Sequence, residues 1–142
     1  MAVFATFEAF SAALEAAIQN AMETEVADGA KDAIAEAVQT EVYDKYPHPA
    51  LYIRAGPYGG LQDVYEMDAV YDAPARTLTV TDVRADEKTG RLVAPVVESG
   101  RGYKWPPKDV GPRPFHSVAE KRYGNGLFEK DLETGLRRQG FD

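Results

Sequence analysis

The longest hydrophobic pattern of the chain lies at its amino end. Between residues 7 and 44, apolar side chains recur every three or four positions, which is the spacing of one face of an α-helix. The apolar positions are 7, 10, 14, 18, 22, 26, 30, 34, 38 and 42. Alanine favours helix throughout, and Thr6 precedes the pattern as a residue type that caps helices well. The sequence therefore predicts helix over 7–44.

The length of this predicted helix leaves two arrangements open. Without a break it would measure roughly 55 Å, which is longer than a compact domain of this size needs. Asp28-Gly29 is the position where it would bend or break, because glycine destabilises a helix by about 1 kcal/mol relative to alanine. The segment is either one long helix projecting from a small sheet, as is typical of assembly proteins, or two helices packed together.

A segment rich in proline, glycine and tyrosine ends the helical pattern. Residues 45–60 include the run YPHPALYIRAGPYGG, which contains Tyr46, Tyr52 and Tyr58 together with three prolines and three glycines. Proline removes a backbone donor and glycine favours turns, so neither continues a helix or a central strand. We predict an extended loop here.

Two segments after this loop predict a β-hairpin. Residues 61–71 carry apolar residues among acids, and residues 76–84 alternate, with Leu78, Val80 and Asp82 on one face and threonines on the other. The turn between them is the run DAPA, which starts with an aspartate and contains proline. The pattern therefore predicts two antiparallel strands.

The remaining segments complete the predicted fold. Residues 92–97 form a third apolar segment, which its proline limits to a short strand, a sheet edge or a helical turn. A final helix is predicted over 114–139, with Pro114 suited to its first turn, the run YGNG interrupting it and Gly140 ending it. The order helix, strands, helix predicts one α+β domain over 1–142, with both helical parts packed on a small antiparallel sheet.

Composition limits the classes of protein that fit. The chain has 142 residues, 44% hydrophobic and 27% charged, as expected for one soluble globular domain. It has no cysteine, which excludes disulfides, thiolate metal sites and cysteine nucleophiles. The apolar stretch at the amino end carries Glu8 and Glu15 and no basic residue, so we expect neither a signal peptide nor a membrane span there.

The net charge of −7 argues against general nucleic-acid binding, which needs a cationic surface. The charge is unevenly distributed. Residues 1–44 contain nine acids against Lys31 alone, whereas the part from Arg101 onward contains nine Lys or Arg against six acids. These parts attract each other either within one fold or between identical subunits of a ring, and a solvated helix face accounts for any single charge.

No arrangement of residues in the sequence predicts catalysis or a bound metal. His48 and His116 lie far apart and form no metal motif, so we expect them to be exposed or hydrogen-bonded. Ser99 is not part of a nucleophile elbow. The run GRG at 100–102 lacks the third glycine, the lysine–serine tail and the following helix of a phosphate-binding loop. We therefore predict no enzymatic activity, no cofactor and no metal site.

The loop over 98–112 concentrates the residue types of protein interfaces. It contains Arg101, Tyr103 and the only tryptophan, Trp105, and prolines surround it. Such side chains bury large areas while keeping a polar group, and proline limits the entropy lost on binding. The alternative is that Trp105 and Phe115 cover the domain's own core. We predict a loop that docks to a neighbouring subunit or partner.

The order of features carries a family resemblance. An acidic amino-terminal helix and a hairpin precede VVESG at 96–100, a loop at 101–112, RPF at 113–115 and the closing run LETGLRRQGF. This order resembles the small tail-completion, or head-to-tail joining (neck), proteins of long-tailed bacteriophages. The resemblance covers nearly the whole chain in order of elements, and its specific part is about twenty carboxy-terminal residues.

The resemblance implies a non-enzymatic α+β protein that forms a ring of six in the neck of the virion, completes the tail and joins it to the head. It implies assembly in the host cytoplasm and contacts with adjacent neck, connector and tail proteins, without cofactor or membrane. DNA would pass through the lumen without sequence-specific binding, and the net negative charge suits such a lumen.

The resemblance also assigns roles to single residues. Glu98 and Gly100 would turn the chain out of the sheet, Arg113 would pair with a carboxylate, and Pro114 and Phe115 would anchor the final helix. The predicted docking residues are Tyr46, Tyr52, Tyr58, Glu98, Gly100, Arg101, Tyr103, Trp105, Arg113, Pro114 and Phe115. Two alternatives stay open: a tail terminator ring of similar fold, and a small ligand-binding or enzymatic domain with its pocket in the tyrosine-rich loop.

Overall fold

The computed structural model describes residues 4–44, 60–85, 92–99 and 113–141. Within these ranges the chain forms one long amino-terminal helix, a two-stranded antiparallel hairpin and three shorter helices. This is an α+β architecture, as the sequence predicts. The predicted tyrosine-rich loop and most of the predicted docking loop lie outside the described residues.

The amino-terminal helix is continuous. α1 (Phe7–Ala21) and α2 (Ala27–Val38) are joined by a π-helical turn (Met22–Val26), and a second π-helical turn (Gln39–Tyr43) follows α2. The backbone dihedral angles stay right-handed helical through each junction. The prediction of helix over 7–44 is confirmed to within one residue, and the single long helix is the correct one of the two open arrangements.

Two residues, one at the start of this helix and one inside it, show how single side chains shape it. Thr6 is the N-cap, because its Oγ1 accepts a hydrogen bond of 3.0 Å from the backbone N–H of Ala9. Gly29 lies inside α2 and does not break it. A Cβ atom there would lie 2.8 Å from the hydroxyl of Tyr123 and would also meet the carboxylate of Asp131. The expected weak position is therefore a site of close packing.

The two π-helical turns keep the apolar stripe on one side of the helix. From position 10 to position 42 the apolar residues recur every four positions, a period that rotates by about 40° per repeat on an ideal α-helix. A π-helical turn hydrogen-bonds to the fifth residue and so contains more residues per turn, which corrects part of this rotation. As a result, Met22, Val26, Ile34, Val38 and Val42 are all buried.

The hairpin consists of β1 (Met67–Asp72) and β2 (Thr77–Asp82), paired antiparallel around the predicted turn. The predicted inner face of β2 is confirmed: Leu78 and Val80 are half-buried, Asp82 is buried, and the threonines between them are exposed. The hairpin therefore presents one apolar face to the helices.

The sheet is smaller than predicted. Two short 3-10 helices (Gly60–Gln62 and Val64–Glu66) replace the first half of the predicted first strand. The apolar residues there are spaced by three, which matches the 3-10 period rather than the strand period. The third apolar segment forms α3 (Ala94–Ser99), with Pro95 in the first turn, where a missing N–H is tolerated. The predicted sheet over 61–97 is thus corrected to two strands.

The predicted final helix is divided in two. α4 (Phe115–Tyr123) and α5 (Leu127–Arg138) are separated by a turn in which Gly126 has a φ of 102°, a conformation that glycine adopts without strain. The interrupting run YGNG marks this turn. The predicted helix over 114–139 is therefore correct in extent but consists of two helices.

The end of α5 is also as predicted. Gly140 has a φ of 94°, and its N–H donates to the carbonyl of Arg137. The next N–H, that of Phe141, donates to the carbonyl of Leu136 over 3.0 Å. These two bonds form a Schellman motif, which satisfies the last carbonyls of the helix and directs Phe141 back along it.

Helix packing builds most of the core. α4 packs along α2, and α5 packs antiparallel to α1, where a Cβ atom at Gly135 would lie only 2.5 Å from the Cβ of Ala21. The buried core residues are Met22, Val26, Ala33, Ile34, Ala37, Val38, Val42, Leu61, Met67, Ala94, Val97, Phe115, Ala119 and Tyr123. They come from α2, α3, α4, the two π-helical turns, the first 3-10 helix and β1, and α1 and α5 contribute half-buried residues to the edge of the core.

Ion pairs connect the acidic amino-terminal helix to the basic carboxy-terminal helices. Arg138 of α5 pairs with Glu25, and Arg122 of α4 pairs with Glu41 over 3.6 Å. Glu25 has a pKa below its ordinary value because it accepts a hydrogen bond from Arg138. The attraction predicted between the two parts of the chain is therefore present within one chain.

Candidate assembly surface

The described residues that flank the predicted docking loop are bonded to each other. The backbone N–H of Arg113 donates to the carbonyl of Val97 over 3.2 Å and to that of Glu98 over 3.0 Å. The guanidinium of Arg113 donates to the carbonyl of Val42, at the carboxyl end of the long helix. A cation at this end compensates the free carbonyls and the helix dipole. The base of the loop is thus fixed to the end of the long helix.

A hydrogen-bonded chain stabilises this base. One carboxylate oxygen of Glu98 accepts from the backbone N–H of His116 over 2.8 Å and from its Nδ1 over 2.6 Å. The other ring nitrogen, Nε2, accepts from the backbone N–H of Asp82 over 3.0 Å. Because Nε2 accepts, the ring proton is on Nδ1. His116 therefore links α3, α4 and the end of β2, and it is hydrogen-bonded as predicted.

Glu98 also caps a helix to which it does not belong. The N-cap residue of α4 is Pro114, which has no side chain that could bond the first free N–H groups. The carboxylate of Glu98 satisfies one of these groups and places a negative charge at the positive end of the helix. The predicted role of Glu98 in turning a strand is wrong, because the residue lies in α3 and acts through its side chain.

A carboxylate paired with a histidine can act as a general base, but here the imidazole is not free to take a proton from a substrate. A catalytic or metal-binding imidazole presents its second nitrogen to a substrate or an ion. The Nε2 atom of His116 is bonded to a backbone amide instead. Among the residues that the structure describes, no group of three or more His, Cys, Asp or Glu side chains could hold a metal ion.

Asp82 is a buried acid next to this chain. Only 2% of its surface is exposed, and its Oδ1 accepts from the backbone N–H of Arg84 over 3.1 Å. Within the described part of the chain, Oδ2 has no hydrogen-bond partner. Burial raises the pKa of Asp82 to about 7, although the neighbouring Arg84 acts in the opposite direction. Asp63 and Arg84 are buried beside it.

Aromatic side chains cluster at the opposite end of the long helix. The rings of Phe4, Phe10 and Phe141 lie within 6.4 Å of one another, centroid to centroid. Phe7 is 77% exposed, although it is a large apolar residue. An open groove of about 540 Å³, here called the aromatic groove, runs between α1 and α5 at this end. Its lining comprises Phe4, Phe10, Leu14, Glu129, Leu132, Glu133, Leu136, Arg137, Gly140 and Phe141.

A second groove, also of about 540 Å³, lies between the hairpin and the helices. Leu78 and Val80 of β2 form one wall, and Met22, Val26 and Phe128 are among the apolar residues of the other. The sequence leaves open a ligand pocket in the tyrosine-rich loop, but that loop lies outside the described residues. His116 is one of the polar residues of this groove, and its Nε2 already has a partner.

The structure describes four of the eleven predicted docking residues. Glu98 and Arg113 are half-buried and fix the base of the loop, and Pro114 is exposed. Phe115 is fully buried in the core, so it offers no surface to a partner, and its assignment as a docking residue is wrong. Tyr46, Tyr52, Tyr58, Gly100, Arg101, Tyr103 and Trp105 lie outside the described residues.

The aromatic groove was not predicted, although the sequence contains a signal for it. Phe4, Phe7 and Phe10 are spaced by three at the start of the first helix, and Phe141 follows the glycine that ends the last helix. The helical pattern assigns Phe7 and Phe10 to a core face, but the core begins about two turns further along. Apolar residues that extend a helical stripe beyond the core indicate an exposed apolar surface.

Comparison with known proteins identifies a family. A family model described as YomN matches residues 6–138, so the chain belongs to the YomN family. YomN is a phage-derived family of the SPbeta prophage type. No curated protein and no solved structure is similar enough to match the chain. None of the described helices is long and apolar enough to cross a membrane.

Proposed function

We propose that this member of the YomN family is a non-enzymatic structural protein of a phage particle, and that it forms a ring in the neck that completes the tail and joins it to the head. The family origin supports a role in a phage. The order of motifs from the hairpin through RPF to the last helix supports the neck specifically.

The exposed aromatic end of the long helix is the observation that carries this proposal. Phe7 and the aromatic groove leave apolar side chains open to solvent at one end of the long helix. Monomeric proteins rarely leave such surfaces exposed, and apolar patches with a charged rim are typical of protein interfaces. His116, the one histidine among the described residues, is used internally in the chain from Glu98 to Asp82.

The proposed assembly has six subunits around the DNA passage, with neighbouring connector and tail proteins above and below. A contact of roughly 800 Å² per partner is enough for each interface. The net charge of −7 suits a lumen through which DNA slides without sequence-specific binding. The 46–60 segment and the loop over 98–112 are the proposed contacts to adjacent rings.

Removal of this chain from the phage that encodes it tests the function. We expect DNA-filled heads and separate tails of normal length by electron microscopy, and intact particles when the wild-type chain is supplied from a plasmid. Overlong tails would instead assign the chain to the tail terminator. Intact, infectious particles without the chain would contradict a structural role in the neck.

A further inference from the structure

The described structure separates two surfaces by the length of the long helix. The base of the docking loop is bonded to Val42 through Arg113, whereas the aromatic groove is lined by Phe10 at the other end. Thirty-two residues separate Phe10 from Val42 along the continuous helix, which corresponds to about 48 Å. Any element that connects the two surfaces must cover this distance.

The docking loop cannot cover this distance within its own chain. Since Glu98 and Ser99 belong to α3, thirteen residues of the loop, 100–112, connect Ser99 to Arg113, and hydrogen bonds from Arg113 close its base. A loop that starts and ends at one place reaches at most half its extended length, roughly 25 Å for this number of residues. The Phe10 end of the aromatic groove in the same chain therefore lies out of reach.

We propose that residues 101–108 of one copy bind the aromatic groove of a neighbouring copy, an inference that rests on the proposed ring and names its subunit contact. The segment RGYKWPPK contains two aromatic residues and two prolines. Aromatic side chains fill apolar grooves and dominate the binding energy of interfaces, and proline lowers the entropy lost on binding. The groove, in turn, is lined mainly by Phe and Leu side chains.

The charges of the two surfaces are complementary. Residues 101–108 contain three cations and no acid. On the rim of the groove, Glu133 pairs with Arg137, so the charge of Glu129 remains in excess. A segment of positive charge is therefore attracted to the rim.

This contact joins unlike surfaces, the loop end of one copy and the groove end of the next. Such heterologous contacts repeat from copy to copy and form a closed ring when the rotation between copies permits. The long helix then spans each subunit from one contact to the next. Such a contact accounts for the position of the loop base at one end of the long helix and of the groove at the other end.

Cross-linking between single introduced cysteines tests the contact. Because the natural chain has no cysteine, only the introduced thiols react. One protein carries Lys104→Cys in the loop, and a second, differently tagged, carries Glu133→Cys on the exposed rim of the groove. The two are mixed at concentrations where light scattering shows oligomers and are treated with a short bis-maleimide. The matched control replaces the second protein by Asp32→Cys, an exposed position of α2 that does not line the groove.

We expect heterodimers from the loop and groove variants at about tenfold the yield of the control, because bound partners hold the two thiols at high effective concentration. Oligomers without this excess would overturn the contact and leave the proposed ring standing. No oligomers at any concentration, alone or with phage tails, would overturn both. Equal thermal unfolding of the variants and the wild type shows that the cysteines do not perturb the fold.

Discussion

At the scale of single residues, Asp82 shows most clearly how burial changes chemistry. Its carboxyl group is almost completely removed from water and receives one backbone hydrogen bond from Arg84. Burial of a carboxylate favours the protonated form, since an unpaired charge is poorly solvated in the interior. The resulting pKa of about 7 lies well above the value of 3.8 expected for an exposed aspartate.

The pKa of Asp82 predicts how stability depends on pH. Between about pH 4 and pH 7 the unfolded chain has released this proton and the folded chain retains it, so the free energy of unfolding falls as the pH rises. The fall amounts to roughly 2–4 kcal/mol over this window, with no further contribution above it. Urea unfolding of the wild type and of Asp82→Asn between pH 4 and pH 8 measures it, because the asparagine variant lacks this titration.

The informative quantity is the difference in unfolding free energy between the two proteins at each pH. Other carboxylates, such as Glu25, titrate in both and cancel in the difference. We expect the difference to move in favour of Asp82→Asn as the pH rises to about 7. A difference that is constant with pH would show that Asp82 is ionised in the fold at acidic pH.

Glu98 provides a second prediction at this scale. Glu98→Ala removes the acceptor of two hydrogen bonds from His116 and the cap of α4, so the free energy of unfolding should fall by about 2 kcal/mol. Glu98→Gln keeps an acceptor without the charge and should lose about 1 kcal/mol. Chemical denaturation with the exposed Glu120→Gln of α4 as control, expected to stay within about 0.5 kcal/mol of the wild type, tests this. Equal effects of all three substitutions would contradict it.

The sequence predicts which residues are available for such contacts but not which of them meet. Because no metal motif surrounds His116, the sequence predicts an exposed or hydrogen-bonded side chain, and the hydrogen-bonded role is the one observed. Its two partners lie 18 and 34 residues away, and only the fold brings them together. Phe115 looked like a docking residue because it stands in a proline-rich run, and its full burial depends on how α4 packs on α2.

At the scale of elements, two glycines set how closely the helices approach. Gly29 lies against Tyr123 and Asp131, and Gly135 lies against Ala21 and Glu25. The small residues allow α5 to pack tightly along the amino-terminal helix. The hydroxyl of Tyr123 donates to Asp131 in the same region, and burial together with this bond raises the pKa of Tyr123.

Gly135→Ala tests this close approach, because we expect the substitution to lower the free energy of unfolding here instead of raising it. Alanine normally stabilises a helix relative to glycine by about 1 kcal/mol. Here the new Cβ would lie 2.5 Å from the Cβ of Ala21, so we expect a loss of about 2 kcal/mol in the free energy of unfolding. Thr134→Ala, on the exposed side of the same helix, is the matched control and should have little effect. A gain in stability for Gly135→Ala would show that α5 does not pack closely on α1.

The sequence predicts long periodic elements well and short ones poorly. In the helix over 7–43 an apolar residue recurs nine times at intervals of three or four, and a threonine caps the start. The apolar pattern and the residue propensities therefore both indicate a helix. Residues 60–66 and 94–99 are too short for a period to be distinguished. The first segment forms helical turns instead of the predicted strand, and the second forms a helical turn, one of the three outcomes that the sequence leaves open. Gly29 shows where helix propensity alone misleads. The glycine indicates a break in the helix when only the local sequence is considered, but in the fold it permits a close tertiary contact.

At the scale of the whole molecule, a single helix carries two surfaces to opposite ends. The loop base at Val42 and the aromatic groove at Phe10 are positioned by the same rigid element. The sequence predicts the α+β class and the order of elements. The antiparallel packing of α5 on α1, which forms the groove, depends on long-range contacts between the two ends of the chain and is not visible in the pattern.

The location of the chain in purified phage particles tests the central claim most directly. Gold-labelled antibody against a carboxy-terminal tag on the full chain, viewed by electron microscopy on intact particles, measures it. We expect label at the junction of head and tail, and we expect it to remain on the connector or the tail when particles are disrupted. Label on the capsid or at the tail tip, or particles with no label while the protein is present in the lysate, would contradict the account.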